Sequence, residues 1–198
     1  MKEAIDTFIH SLIALCPKLT ELELEYIRSG ITITTFHSKE YYIHANEVQQ
    51  HIGFVFQGLL RCYYLDKDGK EITVRFIKEH HYATHYSAFI TRQPSSYYFQ
   101  CIEPSILVNL TYEHIYNGYE LFPQLERYGR LVAEGVLREQ QRRIESFLLE
   151  NAEERYKTFI KEYPDLFLRV SLTQLSTFLG IERQSLTRIR KKLASHPF

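Results

Sequence analysis

Residues 171–193, SLTQLSTFLGIERQSLTRIRKKL, hold the side chains of this chain best suited to chemistry on a polyanion. Arg183, Gln184, Ser185, Arg188, Arg190, Lys191 and Lys192 crowd the second half of that stretch. Arg can fork onto guanine O6 and N7 and Gln onto adenine, while Lys neutralises a phosphate without reading sequence. Between Ile181 and Leu193 the five cations stand against Glu182 alone. Over the whole chain 24 Lys and Arg balance 24 Asp and Glu, so the positive charge is local. Leu186, Ile189 and Leu193 recur at spacings of three and four, which turns them inward on a helix and leaves Arg183, Gln184, Ser185, Arg188 and Lys192 mostly on other faces.

That basic helix needs a second element to hold it. Leu175, Phe178 and Leu179 give the preceding segment one apolar face, and Ser171 with Gln174 three residues on has the spacing of a capping box. Gly180 sits where the chain must turn sharply through positive φ, and Ile181 re-enters the core. A basic run by itself is usually a solvated helix face. Here the cap, the turn glycine, the apolar spacing and the basic face agree, and together they predict a helix-turn-helix that reads double-stranded DNA.

Upstream, the chain divides by vocabulary. The first thirty residues are helical in pattern, with Ile5, Phe8, Ile9 and Leu12 on one face and a second segment of Leu22, Leu24 and Ile27 behind a Thr20 cap, ended by Gly30. From Ile31, β-branched and aromatic runs (ITITTF, YYIH, GFVFQGLLRCYYL, EITVRFI) alternate with polar turns, Asp68-Gly69 marking a hairpin. Two more strands are expected over 97–102 and 106–110. From Pro123, a favoured first helical position, an unbroken helical pattern runs to about Glu150. Its Leu125, Tyr128, Val132 and Gly135 approximate a heptad seam, which predicts a dimer interface. Asn151 caps a further helix that Pro164 ends.

The order of helical lead-in, jelly-roll strands, long helix and C-terminal helix-turn-helix resembles the Crp/Fnr family of transcription regulators, whose catabolite activator is a standard example of DNA docking. The resemblance covers nearly the whole chain. GFVFQGLLRCYYLDKDGKEITVRF, with Gly58 and the Asp-Gly-Lys-Glu hairpin, looks like that family's sheet core. SAF at 87–89 and PSSYYFQCIEPSIL at 94–107 look like its ligand cassette. It implies an α+β fold: an N-terminal double-stranded β-helix of the cyclic-nucleotide-binding type over 1–120, a dimerisation helix over 121–150, and a winged-helix-like DNA-binding domain over 151–198. It implies a homodimer on a near-palindromic operator, with RNA polymerase and an unidentified small-molecule effector as further partners. By this resemblance, Arg183, Gln184 and Arg188 occupy the positions that touch bases.

The departures from the family bear on mechanism. Cyclic-nucleotide binders use a Gly-Glu pair for the ribose and an Arg-Ser or Arg-Thr pair for the phosphate. Here those positions resemble Thr84-His85 and Ser95-Ser96. A buried cyclic phosphate would lack a formal cation, so no tight binding of cyclic AMP is expected. Cys16, Cys62 and Cys101 are few and far apart, which argues for buried thiols and against a disulfide framework, a zinc site or an iron–sulfur cluster; no cofactor or metal is expected. The ring count of the strand region, from Tyr41 to Phe99, suits packing as well as a flat ligand. Few side chains favour other classes. His81 and His85 would share a face if their segment were helical, as metal ligands do in a cupin-like enzyme, and the roll could alternatively serve a protein-binding adaptor. Neither a signal peptide nor a spanning segment is present, so no membrane association and a cytoplasmic location are expected.

Overall fold

The computed structural model describes residues 1–195. It comprises two compact units, one formed by Met1–Cys62 and Phe76–Leu137, the other by Tyr63–Arg75 and the chain from Arg138 onward.

The first unit opens with helix α1 (Lys2–Leu15), whose Ala4, Phe8, Ile9 and Leu12 fall on one face and are buried. Helix α2 (Glu21–Ser29) starts at Thr20, which accepts from the Glu23 amide while the Glu23 carboxylate accepts from the Thr20 amide. This reciprocal cap satisfies two donors that the first turn would otherwise leave open. The strands β1 (Thr32–Phe36), β2 (Tyr41–Ile43), β3 (His51–Gln57), β4 (Leu60–Leu65), β5 (Glu71–Ile77), β6 (Tyr82–Ala83), β7 (Tyr98–Cys101) and β8 (Ser105–Thr111) form two four-stranded sheets, ordered β1-β8-β3-β6 and β2-β7-β4-β5. A short helix α3 (Tyr86–Thr91) lies between β6 and β7, and α4 (Tyr112–Leu121) follows β8. In the antiparallel β3–β8 pair, Gly53 stands opposite Asn109 and Phe54 opposite Val108.

Strand alternation splits that pair between two environments. Phe54 and Val108 join Phe8, Leu12, Leu24, Ile27 and Leu125 in the core beneath the helices. Gly53 points the other way, where an added Cβ would fall 2.7 Å from both Leu107 Cδ2 and the Tyr42 hydroxyl. Tyr42 therefore fills the space between the sheets, its hydroxyl donating to Asn109 Oδ1 at 2.9 Å.

Helix α5 (Pro123–Leu149) is one continuous helix of 27 residues. In the second unit it is followed by α6 (Ala152–Glu162), capped by Asn151 with Glu154, then α7 (Leu166–Arg169), α8 (Leu172–Leu179) and α9 (Arg183–Ala194). Tyr156, Phe159, Leu166, Leu175, Leu179, Ile181 and Leu186 are buried there. The β4–β5 hairpin end belongs to the same unit: Thr73 and Thr177 hydrogen-bond, and Arg75 forks onto Glu139 at 2.8 and 2.9 Å. Among the described residues no strand follows α9.

The three cysteines are buried free thiols. The histidine cluster differs from the helical arrangement considered above. His80 is in a left-handed turn conformation, and His85 sits at the N-cap of α3, so His81 and His85 share no helix face. Among the described residues no three His, Cys, Asp or Glu side chains could hold a metal ion, and no helix is long and apolar enough to cross a membrane.

Candidate nucleic-acid interface

Helix α8 begins with the expected capping box: the Gln174 amide donates to Ser171 Oγ at 3.2 Å and the Ser171 amide to Gln174 Oε1 at 3.0 Å. It ends at Gly180, with φ 62° and ψ 38°. The Ile181 amide reaches back to the Ser176 carbonyl at 2.9 Å, the six-to-one bond of a Schellman turn. Leu186, fully buried, anchors α9 beneath the turn. These constraints fix which face of α9 looks outward.

On that face Arg183, Gln184, Ser185 and Arg188 are exposed and line one open groove together with Glu182 and Thr187. Among the described residues Arg183 and Arg188 make no ion pair. Glu182 makes no side-chain cap and the first turn carries no acidic residue, so the amides at the start of α9 face the groove with the positive end of the helix dipole. Donor amides, two guanidinium groups and a carboxamide thus converge where a phosphate and the adjoining base edges could be met.

The other three basic residues differ. Lys191 is exposed. Arg190 stacks over the Phe167 ring at 4.7 Å, and Lys192 pairs with Glu153 at 2.7 Å. With Lys157 on its other side, the Glu153 carboxyl is held down to about 2. Arg190 and Lys192 thus have partners within the unit, Lys192 from a side chain that is still exposed, and spacing alone could not show these contacts.

Two residues that the sequence reading overlooked hold the turn itself. Arg143 donates to the Phe178 carbonyl and its guanidinium lies 3.8 Å from the Phe178 ring centre and 4.4 Å from that of Phe147. Burial brings its pKa down to about 10. Arg155 donates to the Leu179 carbonyl at 2.8 Å and to the Glu150 carbonyl at 2.6 Å. Two cations thus satisfy the carbonyls at the negative end of α8. Their partners lie 24 and 35 positions away in sequence, so no local pattern announces them.

Residues 33–120 match the family model of the cyclic nucleotide-binding domain. FixK2 from Bradyrhizobium japonicum superposes with a TM-score of 0.75 at 17% identity, covering 83% of this chain and 85% of that one. The c-di-GMP responsive global regulator CLP of Xanthomonas campestris gives 0.70 at 14% identity, over 89% and 92% of the two chains. A Crp/Fnr-family transcriptional regulator from Thermus thermophilus gives 0.67 at 18%, over 84% and 88%. The chain has the fold of the Crp/Fnr regulators. No curated protein sequence matches it. Two of the three named structures are regulators by name, and none is named as an enzyme.

Within the Crp/Fnr fold, three of the four cassette residues are held by hydrogen bonds inside the roll. Thr84 is buried, its hydroxyl donating to Gln49 Oε1 at 3.3 Å, and the His85 amide donates to the same oxygen at 3.1 Å. Ser95, also buried, meets His85 Nδ1 at 3.2 Å and closes on Tyr97, whose ring lies 4.5 Å from the imidazole. Ser96 is exposed. Burial lowers the His85 pKa, which keeps the ring neutral near pH 7. Arg92 is the arginine of this segment, but its guanidinium is taken by the Gln49 carbonyl at 2.8 Å, Gln50 Oε1 at 2.7 Å and the face of Tyr112 at 4.4 Å.

Three of the four residues expected to form a seam on α5 pack within the first unit. Leu125 is only 5% exposed and belongs to the core of the first unit, and Tyr128 and Val132 line a cavity in that unit. Gly135 is half-buried, with open space where a Cβ would sit. Among the apolar residues that α5 leaves in solvent are Leu137, Ile144 and Leu148, at 64%, 59% and 77% exposure. Heptad counting picked out the first stripe, and only the packed structure shows that most of it is already occupied and that a second is left in solvent.

Proposed function

We propose that this chain is a transcription regulator that binds double-stranded DNA as a homodimer. The observation that carries the reading is the exposed set Arg183, Gln184, Ser185 and Arg188 at the uncapped start of α9, held in place by the left-handed Gly180 and the buried Leu186. In helix-turn-helix proteins the N-terminal residues of the second helix contact base edges. A two-fold dimer would present two such helices to major grooves about 34 Å apart, favouring a near-palindromic operator. The apolar stripe of Leu137, Ile144 and Leu148, spaced seven and four residues apart, is the surface that such a dimer would bury. A regulator of this kind would act in the cytoplasm.

The cassette supports a regulator that does not answer to cyclic AMP. His85 is neutral, Ser95 and Thr84 already have partners, Arg92 is engaged elsewhere, and Tyr42 occupies the space between the sheets. Hydroxyls and a neutral imidazole cannot replace a bidentate guanidinium for a buried phosphate.

Selection of bound fragments from random DNA, followed by titration across salt, tests the reading. Arg183→Ala should cost about 1–3 kcal/mol on the selected site and relax its sequence preference. Lys191→Ala should weaken all sequences alike and reduce the salt slope by about one. Wild-type binding by both variants would overturn the assignment of α9.

A further inference from the structure

We infer that a cavity on the outer face of the β-roll binds a small, uncharged, apolar molecule. It lies within the first unit, with a volume of about 70 Å³, between Val108 and Leu110 of β8, Phe8 and Leu12 of α1, and Leu125 and Val132 of α5. Val108 and Leu110 alternate with Leu107 and Asn109, so this cavity is on the opposite side of the sheet from the Tyr42-filled interior. Of the four cassette residues only Thr84 reaches its wall.

The chemistry of the walls selects the ligand. The Tyr82 and Tyr128 hydroxyls hydrogen-bond to each other, the Tyr26 hydroxyl donates to the His114 carbonyl, and His114 Nε2 pairs with the Tyr26 carbonyl. Burial pushes the Tyr82, Tyr119 and Tyr128 hydroxyls well above their usual pKa, so they stay protonated and bring no charge. Water needs two to four polar partners to occupy a buried site, and the Tyr26, Tyr82 and Tyr128 hydroxyls and the His114 ring already have partners in the wall. A void in an interior packed like a crystal forfeits dispersion contacts that an apolar guest restores. Its volume is roughly half of the 150 Å³ that admits benzene, so a guest of xenon or propane size fits it.

The cavity is built into the helix packing rather than left by a missing side chain. A Cβ on Gly129 of α5 would fall 2.2 Å from the Tyr119 hydroxyl, so the glycine lets Tyr119 lie across the helix and close the wall. Leu125, Tyr128, Gly129 and Val132 form one stripe of α5, and a guest would tie that stripe to the sheet. On the reading of the chain as a DNA-binding regulator, this makes the cavity an effector site distinct from the cassette.

The full chain is titrated with xenon, followed by methyl NMR, and its Leu12→Ala variant with benzene, followed by thermal melting. Xenon should shift the methyl signals of Leu12, Val108, Leu125 and Val132 saturably in the millimolar range, and Val132→Phe, which fills the space, should weaken this by about tenfold or more. Leu12→Ala should enlarge the cavity and gain a benzene-dependent rise in Tm. Absence of saturable shifts, identical shifts in a folded Val132→Phe, or no benzene response in Leu12→Ala would each overturn the site. Operator affinity of benzene-loaded Leu12→Ala is measured separately. A change of about threefold or more supports coupling, and unchanged affinity in the loaded protein overturns the effector role alone. Failure of every form to bind DNA overturns the DNA reading and leaves the xenon result standing.

Discussion

Gly180→Ala should destabilise the second unit by about 2 kcal/mol, through two contributions that can be separated. The first is backbone conformation: Gly180 has φ 62°, where an L-residue with a Cβ pays roughly 1–2 kcal/mol. The second is space, since the new Cβ would lie 2.6 Å from Phe147 Cε1. Phe147 can move only by leaving the guanidinium groups of Arg143 at 4.4 Å and Arg155 at 5.3 Å, and each such contact is worth about 0.5–1 kcal/mol at a partly exposed site. With a urea m-value of about 1–3 kcal/mol/M, the denaturation midpoint falls by roughly 1 M. Gly180→Asn should recover part of the backbone cost, because Asn tolerates the left-handed region, and none of the clash. A double-mutant cycle with Phe147→Ala isolates the clash as coupling between the two positions. Operator affinity should fall with stability, because the same turn sets the angle of α9. An Ala variant within about 0.5 kcal/mol of wild type, or a cycle without coupling, would refute this account of the turn.

Ile144→Glu should shift the sedimentation profile to monomer and lower operator affinity together, whereas Leu125→Ala should cost about 2–5 kcal/mol of stability and leave the mass unchanged. The reverse pattern would restore the inward stripe as the dimer seam. Because burial lowers the His85 pKa, the unfolded chain takes up its proton more readily than the folded one. The stability owed to that difference is complete above about pH 6.5 and is lost as the pH falls toward the folded value, so His85→Gln should flatten the melting profile across that window. An unaltered slope would show that the imidazole is not the group responsible. Calorimetry with cyclic AMP should detect no micromolar binding, and a micromolar constant accompanied by a change in operator affinity would contradict the closed cassette.

Local signals in the sequence transferred to the structure with little change. The caps at Thr20 and Asn151, the capping box at Ser171, the Pro123 start of α5 and the Gly180 turn all lie where residue spacing put them, because each depends on atoms within a few positions. The apolar face of α1 was also legible, since 3.6-residue periodicity needs no knowledge of the partner surface. Residues 80–85 were not. A pair spaced by four residues reads as a helix face only if a helix forms, and there the chain makes a left-handed turn, a two-residue strand and a cap.

By itself the sequence determined the type and order of the longer elements, the resemblance to Crp/Fnr regulators and the basic character of α9, all consequences of chain-local chemistry. Tertiary structure alone decided the division of labour among similar side chains. Arg190 and Lys192 carry the same charge as Arg183 and Arg188, yet Arg190 stacks on Phe167 and Lys192 pairs with Glu153, while Arg183 and Arg188 make no ion pair among the described residues. Leu125 and Ile144 suit a helix seam equally, and the β-sheet beneath α5 buries one and leaves the other exposed. The reason is common to both cases: charge and apolar area belong to a residue, whereas desolvation and pairing depend on neighbours that the fold brings from far along the chain.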